Sequence, residues 1–142
     1  MSLPGQRTTT GALDWDDFRS IIAKMERDGE FKYCLLMAIG VFTGLRISDL
    51  LQLRFSQFEN GDILTIQEKK TQKIRRIKIN PDLKVILNRL KTKMSVIDSD
   101  QYIFLNRYGT KPIDKSWVNV QLKKYFKKYG ITMEGNISSH LF

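Results

Sequence analysis

Residues 42–53 read FTGLRISDLLQL, and one guanidinium, Arg46, interrupts the most apolar part of the chain. Arginine is among the residues least often buried without a partner. Asp49 lies three residues on, where a helical carboxylate can pair with a guanidinium and fix its direction. An arginine held in that way can grip a phosphate through two parallel hydrogen bonds. The plain alternative is a surface arginine at a helix start, with Leu45 and Ile47 buried on either side. Lys70 is the second candidate. It is either one of several solvated lysines in a turn or a mobile cation that reaches the same phosphate. Lys69, Lys73, Arg75, Arg76 and Lys78 surround it, giving six positive side chains in ten residues. A patch of that kind suits contact with backbone phosphates better than base readout. His140 is the only histidine. A lone histidine is ordinarily structural, but it can also donate to a phosphoryl oxygen or carry a proton.

The elements that must position these groups are legible in the periodicity. Trp15, Phe18, Ile21, Ile22 and Met25 recur at helical spacing between Asp14, a candidate cap, and Asp28, with Gly29 as the stop. Phe31 to Phe42 is apolar almost all round, which predicts a central helix, ended by Thr43-Gly44. Ile47 to Leu53 reads as a short third helix. The period then changes. Asp62–Ile66 and Ile74–Ile79 are short, and the second alternates apolar with basic, so a half-buried antiparallel pair joined by the basic loop 67–73 is expected. Phe55 to Phe58 can add a third short strand. Asn80-Pro81 signals a helix start, followed by the stripe Leu83, Ile86, Leu87, Leu90. After a loop over 94–101 and a short extended segment, Tyr102–Leu105, Asp114 caps a last long helix. Its expected buried face is Trp117, Val118, Leu122, Phe126 and Tyr129. The fold class is therefore α+β, mostly α, with one small antiparallel hairpin.

Composition limits the function. The 142 residues are 42% apolar, enough for one domain with a core. No apolar run is long enough to span a membrane. Lys plus Arg outnumber Asp plus Glu by 24 to 15, a net charge of +9, which favours a polyanionic partner. The single cysteine, Cys34, cannot form an internal disulfide and reads as a small buried hydrophobe. One cysteine and one histidine cannot fill a zinc shell without carboxylates, and no convincing carboxylate cluster supports a metal-dependent nuclease. No metal and no cofactor is expected.

TGLRISDLLQL, the basic hairpin with Lys70-Thr71 and the terminal SSHLF, in this order, resemble the catalytic domain of tyrosine recombinases, the phage-integrase family, over Ala12 to Phe142. The resemblance implies a helical catalytic core with a small hairpin. It implies that Arg46 is the first catalytic arginine, binding the scissile phosphate, and that Asp49 braces it. Lys70 would protonate the leaving 5′-oxygen, and His140 would open the H-x-x-R box. The family cuts one DNA strand with a tyrosine nucleophile, forms a 3′-phosphotyrosyl link and exchanges strands without metal or ATP. Duplex DNA, a tetrameric synapse and a cytoplasmic, nucleoid-associated protein of bacterial or phage origin are implied with it. The sequence departs from the pattern after His140, since the second arginine, the later His or Trp and the nucleophile are not among the 142 residues. Tyr33, Tyr102, Tyr108, Tyr125 and Tyr129 all precede His140. The expected organisation is a flexible lead-in over 1–11 and a partial catalytic domain over 12–142. The family's N-terminal core-binding domain and C-terminal catalytic segment would be missing, and the piece would be inactive for want of the tyrosine. The alternative is a non-catalytic basic DNA- or RNA-binding module. The set Arg46, Asp49, Lys70 and His140 favours the enzyme, because binding alone has no need of it.

Overall fold

Helix α2 (Phe31–Thr43) is the axis of the molecule in a computed structural model that describes residues 15–130. Tyr33 through Gly40 are buried without interruption, as an almost wholly apolar helix requires. Helix α1 (Trp15–Arg27) buries Phe18, Ile21, Ile22 and Met25 against it. Acidic Asp16 and Asp17 in the first turn of α1, and Lys24 and Arg27 in the last, complement the helix dipole. Helix α3 (Ile47–Leu50) is shorter than its apolar pattern predicts. Beyond Leu50 the chain tightens into three-residue turns, with Gln52 N–H donating to Asp49 O at 3.2 Å and Leu53 N–H to Leu50 O at 3.1 Å.

Strands β1 (Ile63–Gln67) and β2 (Ile74–Lys78) pair antiparallel, with Leu64 opposite Ile77 and Thr65 opposite Arg76. Leu64, Ile66 and Ile79 enter the core, and Arg76 and Lys78 face out. Helix α4 (Pro81–Lys93) starts as its sequence signals, with Asn80 accepting from Asp82 N–H at 2.8 Å. Its stripe Leu83, Leu87 and Leu90 packs on α2. Helix α5 (Lys115–Lys128) is capped by Asp114, which accepts from Ser116 N–H at 3.1 Å.

Two further expectations about the elements are corrected. Phe55–Phe58 is a 3-10 turn and not a strand. In a 3-10 turn, side chains three apart lie on one side, so both Phe55 and Phe58 enter the core, whereas a strand would send them to opposite faces. Its amides pair with the 98–102 loop, Ser56 N–H donating to Ser99 O at 2.7 Å. Trp117 is 54% exposed and does not belong to the buried face of α5, which is Val118, Leu122, Tyr125 and Phe126. Tyr125 sits in the buried stripe through a bond to Glu30 at 2.6 Å, which satisfies its hydroxyl. Tyr102–Leu105 is extended as expected, forming single bridges to Arg54 and Pro112. Among the described residues no helix is long and apolar enough to cross a membrane.

Candidate active site

Arg46 owes its position to the way α2 ends. Gly44 takes a left-handed conformation, φ 69°, and donates to Gly40 O at 2.9 Å. The Thr43 hydroxyl donates to Ile39 O at 2.6 Å and accepts from Leu45 N–H at 3.3 Å, carrying the helix end into the turn. Leu45 and Ile47 are buried. Between them Arg46 is extended (φ −69°, ψ 152°) and exposed, as the N-cap of α3. Alternation at an extended backbone, and not burial of a charge, explains an arginine inside the apolar run. Among the described residues its guanidinium has no hydrogen-bond or ion-pair partner.

Asp49 is buried, 7% exposed, and is not paired with Arg46 as the three-residue spacing predicts. Its carboxylate accepts from Lys69 N–H at 2.9 Å. The physical reason is burial: the side chain points inward from α3, where a backbone amide of the hairpin loop can satisfy it, while Arg46 points to solvent. A buried carboxylate needs such a donor. The bond ties the start of α3, three residues after Arg46, to the residue preceding Lys70.

Lys69, Lys70, Lys73, Arg76 and Lys78 are all exposed on or beside the hairpin. Arg75 stands apart from this set. It lies on the inner face of β2, half-buried, with its guanidinium 3.7 Å from Glu68. His140 lies outside the described residues, as do Asp14 and the lead-in. The five tyrosines pack or lie on the surface. Tyr129 donates to Asp28 at 2.6 Å, and burial together with that carboxylate pushes its phenol up to about 12. Burial and Glu30 raise Tyr125 as well. Tyr102 lies under the Arg54 guanidinium, 4.0 Å from the ring centre. The Cys34 thiol is buried, which pushes it up to about 12, in keeping with a structural role.

One basic segment was not among the motifs singled out in the sequence. From Arg107 to Lys128 there are seven positive residues and one acid, Asp114. All seven, including Lys115, Lys123, Lys124, Lys127 and Lys128 on α5, are exposed, beside exposed Trp117 and Val120. The charge bias of that segment was the available signal. A cleft of about 430 Å³ between α1 and α4, lined by Trp15, Phe18, Phe42 and Arg89 among others, contains none of the candidate residues. Apart from Asp49 and Arg75, the described candidate residues are thus exposed on the surface and outside that cleft. Among the described residues no group of three His, Cys, Asp or Glu could hold a metal ion.

Residues 12–142 match the profile of the Phage integrase family. No curated protein sequence matches the chain. Among solved structures, the XerA recombinase superimposes with a TM-score of 0.74 at 19% identity, over 96% of this chain and 49% of that one. The lambda integrase catalytic core gives 0.67 at 20% identity, over 92% of this chain and 80% of that one. A lambda integrase tetramer bound to a Holliday junction gives 0.65 at 20% identity, over 96% and 43%. At these identities the likeness is one of fold. The chain spans about half the length of the XerA recombinase.

Proposed function

The chain belongs to the phage integrase family, and we propose that it is part of the catalytic domain of a site-specific DNA recombinase that works through a 3′-phosphotyrosyl intermediate. The observation that carries this reading is the Asp49–Lys69 bond, which joins the turn presenting Arg46 to the loop presenting Lys70. Arg46 is exposed, oriented by its buried neighbours and free of any partner among the described residues, so it can take two oxygens of a scissile phosphate. Negative charge grows on that phosphate in the transition state, and a preoriented guanidinium stabilises it more there than in the ground state. Lys70 gives its proton to the 5′-oxygen as the strand breaks. His140 donates to the same phosphoryl group. None of the five tyrosines is offered as nucleophile. Attack belongs to a tyrosine that follows the histidine box, and these 142 residues alone are inactive in cleavage.

The partner is duplex DNA. Lys69, Lys73, Arg76 and Lys78 hold its backbone beside the reacting phosphate, and the face of α5 supplies a second stretch of phosphate contact. The working assembly is a tetramer, by analogy with the junction-bound tetramer whose fold this chain shares. The test is binding of a labelled duplex over a range of salt. Affinity falls steeply with salt, and Arg46→Ala and Lys70→Ala each reduce the slope of log K against log salt by about one. A flat salt response, or slopes unchanged in both variants, would sink the reading. The second reading, a binding module without cleavage, is favoured by the α5 surface alone. Supplying the family's tyrosine in an extended chain and finding no covalent DNA adduct would select it.

A further inference from the structure

We propose that Glu68 is a positioning residue for Lys70, holding the hairpin loop in one shape before any DNA arrives; the role of Lys70 itself rests on the reading above. Glu68 is the one acid between Ile63 and Lys78. Its side chain is only 17% exposed in a loop that otherwise faces solvent. Its backbone closes the loop twice, N–H to Lys73 O at 2.8 Å and O from Gln72 N–H at 2.8 Å. Its carboxylate accepts from the Thr71 hydroxyl at 3.1 Å and lies 3.7 Å from the Arg75 guanidinium. The same hydroxyl accepts from Lys73 N–H at 3.2 Å.

Both neighbours of Lys70 are therefore held. Lys69 is fixed through its amide to Asp49 at 2.9 Å and through its carbonyl to the Gln72 side chain at 3.1 Å. Thr71 is fixed to Glu68. Lys70 makes no hydrogen bond of its own among the described residues, so its ammonium is left free while its backbone is not. Gln72 adopts a left-handed conformation, φ 62°, which a loop keeps only when its surroundings hold it there. The single acid also offsets Arg75, so the loop's positive charges do not splay it open.

Electrostatics and positioning make opposite predictions for Glu68→Gln. Removing an acid from a DNA-binding surface should by charge alone tighten binding. Positioning predicts that the contribution of Lys70 disappears. The experiment is a double-mutant cycle on the 142-residue chain, binding a short labelled duplex at fixed salt. With Glu68 present, Lys70→Ala weakens binding by roughly three- to ten-fold. In the Glu68→Gln background the same change has almost no effect. Thr71→Val reproduces part of the loss, and Thr71→Ser, which keeps the hydroxyl, does not. An equal cost of Lys70→Ala in both backgrounds would overturn the proposal while leaving the phosphate role of Lys70 intact. Amide exchange reads the loop without DNA: Lys69 and Gln72 exchange about ten-fold faster or more in Glu68→Gln, while the α2 amides of Leu36 and Ile39 report that the domain remains folded. Unchanged protection of Lys69 and Gln72 would overturn the positioning role on its own. No effect of Lys70→Ala with Glu68 present, together with faster loop exchange in Glu68→Gln, would remove the function assigned to Lys70 and uphold the role of Glu68 in ordering the loop.

Discussion

Arg46 is held by what flanks it and not by what it touches. Leu45 and Ile47 are sunk in the core, so the extended residue between them must face out. Asp49 does its work one step away. Removing its carboxylate leaves a hairpin amide without an acceptor and frees the loop from α3. Asp49→Ala is expected to cost about 1–3 kcal/mol, read as a lowered denaturant midpoint, because a bond from an amide to a buried carboxylate is lost. Arg46→Ala should change stability by no more than about 0.5 kcal/mol, because the guanidinium has no partner among the described residues and is exposed. Equal destabilisation by the two substitutions would mean that the asymmetry between a buried, hydrogen-bonded carboxylate and an exposed guanidinium is wrong.

Helix ends and helix pairs set where these residues sit. Gly44 is needed for its left-handed backbone, since the space around it is open. Gly44→Ala is expected to cost about 1–2 kcal/mol through backbone strain alone, measurable as a drop in the unfolding midpoint. A neutral result would mean that the turn presenting Arg46 tolerates other shapes. Helices α1 and α4 are joined by Glu26, which accepts from Arg89 at 2.7 and 2.8 Å and from Lys93 at 2.8 Å. The hydrogen bonds from Arg89, and after them the one from Lys93, lower the Glu26 carboxyl from 4.5 to about 2 against the opposing effect of burial. The unfolded chain takes up this proton near 4.5 and the folded chain only near 2. The stabilisation is thus complete above about 5 and is lost as pH falls through that window. Arg89→Ala should flatten this acid limb in unfolding measured from neutral pH down to about 2. An unaltered pH profile would show that the pair adds nothing, as many exposed pairs do.

At the scale of the molecule, the charge of +9 gathers on two surfaces, the hairpin and α5, on a core built around α2. The DNA titrations against salt test both surfaces together. Removing the four α5 lysines Lys123, Lys124, Lys127 and Lys128 should lower the salt slope further than any single hairpin substitution, since the slope counts phosphates neutralised. A slope that stays at its starting value would confine the interface to the hairpin. The amino-acid sequence by itself determined the helices, the hairpin, the Asn80 and Asp114 caps and the end of the central helix at Thr43-Gly44. Period 3.6, period 2 and capping chemistry act between residues a few positions apart, so a linear reading contains them. It also carried the resemblance to its family, through TGLRISDLLQL, the hairpin with Lys70-Thr71 and the terminal SSHLF in that order. Only the tertiary structure decided that Asp49 answers Lys69, twenty residues on, and not Arg46, three residues on. It also decided that Phe55 and Phe58 share one buried side of a 3-10 turn, and that Trp117 faces out while Tyr125 turns in to Glu30. In each case local spacing allows two partners or two faces. The choice falls to whichever buried polar group or cavity the rest of the chain brings alongside, and burial makes an unmet hydrogen bond costlier than a weak local preference.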